Sequence, residues 1–382
     1  MTQFLGLVLA LAPSYLVRFH IFGIPTTLLE ILIAVFLVAT GLRLKIKDLS
    51  QLKNLGKINY AIGLFVLAGI ISTIISPNHR EALGQLKAFI IEPVLVFYAI
   101  NLLRITDYGL RIILRWLFWA TVIISLFGIL QYYSFINLPI RFWGNGGEIE
   151  RITSFFDYPN ALALYLAPLF GLFFTLFVFD YRLFKNKWVE WAGMGIVGLA
   201  LLMTFSRGAW IAVAISLLWV LAKRFGFKKT SIAAACLIIL IAVIPSTRHR
   251  ISLGLSDPSS EAHGSLINFG FQKALEHPLL GTGLAGFAVF NQGVNYPHNI
   301  VLNFWLETGI LGMISFAWII FLVFRQYKKS AFAKASADKQ PLLLAACVYL
   351  VIFLIHGLVD VPYFKNDLAL LFWFVISIFY LV

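Results

Sequence analysis

Apolar runs follow one another along almost the whole of this chain, and few folds can accommodate them. They are Phe4–Leu16, Ile24–Gly41, Ile58–Ile75, Leu83–Leu103, Ile112–Tyr133, Ala161–Phe179, Trp191–Phe205, Ala209–Ala222, Ile232–Ile244, Leu302–Phe324, Pro341–Ile355 and Leu368–Leu381. A helix crosses a bilayer in roughly 17–25 residues. The runs therefore predict an all-α, polytopic integral membrane protein of about twelve transmembrane helices, with residues 1–382 forming a single membrane domain. The first run is short enough to be tilted or interfacial. Of 382 residues, 60% are hydrophobic and 12% charged, too few charges for a soluble chain to cover so much apolar surface.

A formal charge of +13 would point to nucleic acid in a soluble protein. Here the cations are sorted by loop, so no nucleic-acid partner is expected. Alternate loops hold Arg43, Lys45, Lys47, Lys53 and Lys57; Arg104, Arg111 and Arg115; Arg182, Lys185 and Lys187; Lys223, Arg224, Lys228 and Lys229; and Arg325, Lys328, Lys329, Lys334 and Lys339. The positive-inside rule makes that side cytoplasmic. Both termini then lie inside, and the long polar stretch 246–299 lies outside. Met1-Thr2-Gln3 lacks the basic n-region of a cleavable signal peptide. Cys236 and Cys347 both fall inside apolar runs, which argues against a disulfide or a metal site.

Ionisable groups within or beside spans cost several kcal/mol unless paired or wetted, so each is a candidate for function. Glu30 and Lys87 lie at similar depth below the outer face; Lys87 could pair with Glu30 or snorkel outward. Glu92 is deeper, and Pro93 after it frees a backbone carbonyl. On an α-helix Lys87 and Glu92 point about 140° apart, so Glu92 is expected to find another partner or a wet cavity. Arg207 stands in a tight break between two apolar runs on the outer side, where cations are scarce. The outer stretch holds Gly281-Thr-Gly283-Leu-Ala-Gly286, a flexible backbone with no preceding strand to make it a dinucleotide loop. Ser259-Ser260-Glu261 could cap an amphipathic helix through about Leu275, laying Phe269, Phe271 and Leu275 on the membrane. His298 and Asn299 precede the next span, and Glu307 lies further in. His356 and Asp360 again bring an imidazole and a carboxylate to the outer edge.

Ser206-Arg207-Gly208-Ala209-Trp210, then Gly281-x-Gly283, then His298-Asn299 with Glu307-x-Gly309 and Gly312, occur in an order that resembles the O-antigen ligase/polymerase family. Arg151 with Pro159-Asn160, and His356-Gly-Leu-Val-Asp360, extend the resemblance, which runs from about residue 80 onward. It implies a GT-C-like glycosyltransferase of the bacterial inner membrane whose site faces the periplasm. Such an enzyme passes a glycan from an undecaprenyl-diphosphate carrier to a glycan, lipid or protein hydroxyl. It further implies that Arg207 and His298 are catalytic. Diphosphate contacts would come from Arg207, Arg151, Lys87, Gly281 and Gly283, and support from Asn299, Glu307, Asn160, His356, Asp360 and Glu92. His263 stands where many relatives carry arginine. A guanidinium can grip two phosphate oxygens in place of a divalent metal, and an imidazole titrates near working pH. No Asp-x-Asp motif or glycosidase-like acidic pair is present, so neither metal nor cofactor is expected. Glu307 could orient the imidazole or simply pack its helix. Partners are then the lipid-linked glycan, its acceptor and membrane lipid. Polymerase and protein O-oligosaccharyltransferase activities remain open, and a small-anion transporter is the alternative of another class.

Overall fold

The computed structural model describes residues 1–21, 24–137, 150–232, 234–235, 258–291, 296–332 and 339–381. Among them six helical stretches are long and apolar enough to cross a membrane: Ile58–Ile75, His79–Leu102, Asp107–Tyr132, Pro159–Val178, Arg207–Phe225 and Ile300–Ser330. Leu28–Gly41, Gln340–His356 and Asn366–Leu381 are shorter apolar helices. The protein is a mostly helical, multi-pass membrane protein. The run at Ile232–Ile244 lies almost wholly outside the described residues, as do 246–257 and 292–295 of the outer stretch.

The chain forms two compact units. The first comprises Met1–Ile113, Ala262–Ser336 and Gly357–Val382. It begins with α1 (Thr2–Ala10), which at 9 residues is too short to span, and a 3-10 turn at Ala12–Leu16. Strands β1 (Arg18–Ile21) and β2 (Ile24–Thr27) then pair antiparallel, a departure from the all-α expectation. Helix α2 (Leu28–Gly41) consequently starts four residues later than its apolar run. Glu30 therefore lies in its first turn. It closes a capping box with Thr27, a Thr-x-x-Glu signal present in the sequence.

Helix α3 (Ile58–Ile75) follows, then α4 (His79–Gln85), a π-helical turn at Leu86–Ile91, and α5 (Glu92–Leu102). The π turn overturns the expectation for Lys87 and Glu92. Glu92 N–H donates to the Lys87 carbonyl five residues back, stacking the two residues on one face, and both interact electrostatically. Pro93 lacks an N–H for the Phe89 carbonyl; the Tyr363 hydroxyl donates to it at 2.7 Å. Tyr363 in turn accepts from Trp373 Nε1 at 2.9 Å, inside an aromatic cluster with Phe65, Phe304, Phe316 and Phe372.

The second unit comprises Leu114–Glu261 and Ala337–His356. Most of α6 (Asp107–Tyr132) belongs to it. Helix α7 (Pro159–Val178) is apolar on every side and almost wholly buried, as a central helix must be. Around it pack α8 (Lys187–Met203), α9 (Arg207–Phe225) and the later helix Gln340–His356. Gly171 of α7 allows close approach, since a methyl group there would overlap Ile352.

In the first unit the outer stretch carries α10 (Pro258–Glu276) and α11 (Gly286–Phe290), followed by α12 (Ile300–Phe332). Phe271 and Leu275 of α10 are 51% and 57% exposed, but Phe269 packs inward on Phe287. Residues two apart on a helix point about 200° apart, so the three expected membrane-facing side chains cannot share one face. Helices α13 (Gln340–His356) and α14 (Asn366–Leu381) complete the chain.

Candidate functional site

The first constellation sits at the mouth of α12. His298 has φ +54°, left-handed for a residue with a side chain, a conformation that costs about 1 kcal/mol. The local structure holds it there. Asn299 caps α12 by accepting from Leu302 N–H at 3.0 Å, and its amide donates to the Leu358 carbonyl at 3.0 Å. Ile300 N–H donates to the Gly357 carbonyl at 2.7 Å. The segment after α13 is thereby clamped to the start of α12, and it delivers Asp360. The Asp360 carboxylate lies 3.2 Å from His298 Nδ1 and also accepts from Val361 N–H. Its side chain is 2% exposed and the imidazole 16%. A buried carboxylate on Nδ1 fixes the ring's orientation and tautomer and leaves proton transfer to Nε2.

Glu307, which from sequence could orient the imidazole or pack its helix, does not reach His298. It lies nine residues along, about 13 Å down the helix axis, beyond side-chain reach. Its Oε2 accepts from Ala285 N–H at 2.6 Å, at full burial. Glu307 thus ties down the glycine loop, and that loop repairs a break in α12. Gly309 has φ +65°, which interrupts the helical ladder. Ile310 N–H donates to the Leu279 carbonyl at 3.0 Å, and the Leu306 carbonyl accepts from Thr282 N–H at 2.7 Å. Every group freed by the break must find such a partner inside a membrane.

Gly281 and Gly283, expected to contact diphosphate, are buried at backbone crossings. A Cβ at Gly281 would overlap the carbonyls of Leu306 and Trp305, and one at Gly283 would lie 2.8 Å from the Ser72 carbonyl. Their φ values are +70° and +81°. Close backbone approach, not an anion cradle, explains these glycines.

The second constellation is the turn before α9. Phe205, at φ +48°, ends α8; Ser206 stands at the N-cap and Arg207 is the first residue of α9. A cation in the first turn opposes the helix dipole, so Arg207 does not stabilise its own helix there. Arg151 Nε donates to the Thr204 carbonyl at 2.8 Å, and its Nη2 to Asn160 Oδ1 at 2.7 Å. The segment carrying Arg151 is held by a residue that sequence reading missed. Buried Gln131 accepts from Ser154 N–H at 2.6 Å and donates to the Ser154 carbonyl at 2.7 Å. A lone glutamine near the end of an apolar run was its only signal. His356 is buried at the end of α13, and His263's side chain lies outside what is described.

Of the two alternatives for Lys87, the structure shows the pair with Glu30, Nζ to Oε2, at 3.0 Å, with side chains 37% and 8% exposed. Lys87 therefore carries its own counter-charge. Among the described residues, no three His, Cys, Asp or Glu gather as a metal-binding set.

Comparison with known proteins gives two matches. The family model described as O-antigen ligase matches residues 192–317, which include Arg207, Gly281, Gly283, His298, Asn299 and Glu307. The chain is also 23% identical over 307 residues to the O-antigen ligase of Salmonella typhimurium strain LT2, covering 72% of this chain and 71% of that protein. Both findings support the O-antigen ligase family, the one that the order of the motifs resembles.

Proposed function

We propose that this protein is a glycosyltransferase that passes a glycan from an undecaprenyl-diphosphate carrier to an acceptor hydroxyl, on the outer face of the bacterial inner membrane. The carrying observation is the His298–Asp360 pair, an imidazole oriented by a buried carboxylate at a helix mouth. Such a pair suits removal of the acceptor's proton as its oxygen attacks the anomeric carbon. The carrier already supplies a good leaving group, so what remains is to stabilise the diphosphate as the glycosidic bond to it breaks. Arg207 is assigned that task, because a guanidinium forks two phosphate oxygens and the start of α9 adds the positive end of a helix dipole. Arg151 supports the same turn and Asn160 orients Arg151. Asp360 and Asn299 are positioning residues, and Glu307 with the glycine loop is structural support. The reaction is assigned no metal, since the Arg207 guanidinium takes over the neutralising role.

The test is transfer by the purified chain from a lipid-linked donor, with donor binding measured separately. His298→Ala is expected to abolish transfer while donor binding persists, and transfer by the unaltered chain is expected to survive excess chelator. If His298→Ala fails to bind donor, His298 belongs to substrate recognition instead. Loss of activity with chelator, restored by magnesium, would overturn the metal-free reading.

A further inference from the structure

A cavity of about 230 Å³ opens beside the N-terminal end of α3 and the C-terminal ends of α12 and α14. It lies within the first compact unit, and nothing above uses it. Three cations line it: Lys57, just before α3, and Arg325 and Lys329 of α12. Gln326 and Tyr380 add polar groups that can donate hydrogen bonds. Among the described residues, none of the three cations is paired with a carboxylate. All three are exposed, so solvent screens their mutual repulsion, but an anion in the cavity would meet positive charge from three side chains. The floor is apolar: Ile58 follows Lys57 and Leu322 lies one turn before Arg325, both buried, and half-buried Leu55 lies beside them. A polar, cationic rim therefore stands over an apolar floor at the ends of two candidate spans.

We infer that this cavity binds the phosphate headgroup of an anionic phospholipid from the leaflet on the basic-loop side, which the positive-inside rule makes cytoplasmic. Basic pockets between transmembrane helices on that side bind such headgroups, and this cavity lies at the ends of two candidate spans, α3 and α12, where lipid headgroups are concentrated and free phosphate is not. The inference does not depend on the glycan-transfer reading.

The experiment uses the full chain in a neutral detergent, with bound lipid read by native mass spectrometry and by thermal stabilisation. Phosphatidylglycerol is expected to bind, and phosphatidylcholine with the same acyl chains is not. Lys57→Gln, Arg325→Gln and Lys329→Gln should each weaken binding about five-fold, the effect of removing one cation near a lipid phosphate. Lys329→Arg should retain binding, which separates loss of charge from loss of fold. Lys53→Gln and Lys328→Gln, which change cations on the same side outside the cavity lining, should leave binding unchanged. Equal weakening by these two variants would overturn the inference in favour of a diffuse surface field. Inorganic phosphate stabilising the chain as strongly as phosphatidylglycerol would overturn the lipid assignment.

Discussion

At the scale of single residues, the informative side chains hold positions that opposing forces would otherwise empty. His298 accepts a left-handed backbone, and Arg207 sits at the wrong end of a helix dipole. Different measurements test the roles proposed for them. Arg207→Lys should lose transfer nearly as completely as Arg207→Ala, on the order of 10²–10³ in turnover, because a point charge cannot reproduce a bidentate fork. Near-normal turnover of the lysine variant would show that charge alone suffices. Asp360→Asn should lower turnover by at least about 10² while donor affinity and melting temperature stay near those of the unaltered chain. Asp360→Glu should recover part of the loss. Glu307→Gln separates the two carboxylates: it should lower thermal stability in detergent before it lowers turnover per folded molecule, since Glu307 holds Ala285 and not the imidazole. Turnover in Glu307→Gln falling as far as in Asp360→Asn would reverse that division.

At the scale of elements, the features that depart from regular helix are each mended by a distant segment. The Gly309 break in α12 is filled by the loop at Leu279–Thr282, and the carbonyl freed by Pro93 is taken by Tyr363. This is how irregular backbone survives at membrane depth: its polar groups are satisfied within the protein. Gly281→Ala should therefore destabilise by about 2–4 kcal/mol, combining a left-handed residue with overlap against two carbonyls. Gly84→Ala is the matched control, because that helical glycine of α4 has open space around it and should be neutral or slightly stabilising. Thermal unfolding of the two variants in detergent makes the comparison. Similar melting temperatures would mean that the loop yields where the backbone crossing is expected to hold.

At the scale of the whole molecule, the apolar helices make it a multi-pass membrane protein, and the positive-inside rule applied to its Lys and Arg predicts an orientation. Reporter fusions after Leu255 and Asn295 should be active outside, and fusions after Lys47, Lys185 and Lys334 inside. An inside result at Asn295 would place His298 on the cytoplasmic face, away from an outer-leaflet carrier, and would end the proposed mechanism. The same result would move the Lys57, Arg325 and Lys329 cavity to the outer leaflet, leaving its chemistry but changing the lipid pool that it samples.

Composition and periodicity alone determined that the chain is helical and membrane-embedded, because apolar length and the placement of cations are local properties that bilayer thickness and surface charge act on directly. The order of short motifs singled out Arg207, His298 and Asn299 as candidates. The carboxylates Asp360 and Glu307 could not be ranked in that way. Asp360 is 62 residues away in sequence and reaches the imidazole because the segment after α13 is clamped to the start of α12. Glu307 is far closer in sequence, yet helix rise carries it out of reach. The meaning of Gly281 and Gly283 likewise emerged only from tertiary contact, since a glycine that binds an anion and one that admits a neighbouring backbone read alike along the chain. Lys87 and Glu92 changed faces for the same kind of reason: one π turn, placed just before Pro93, resets the angular spacing that a regular helix would impose.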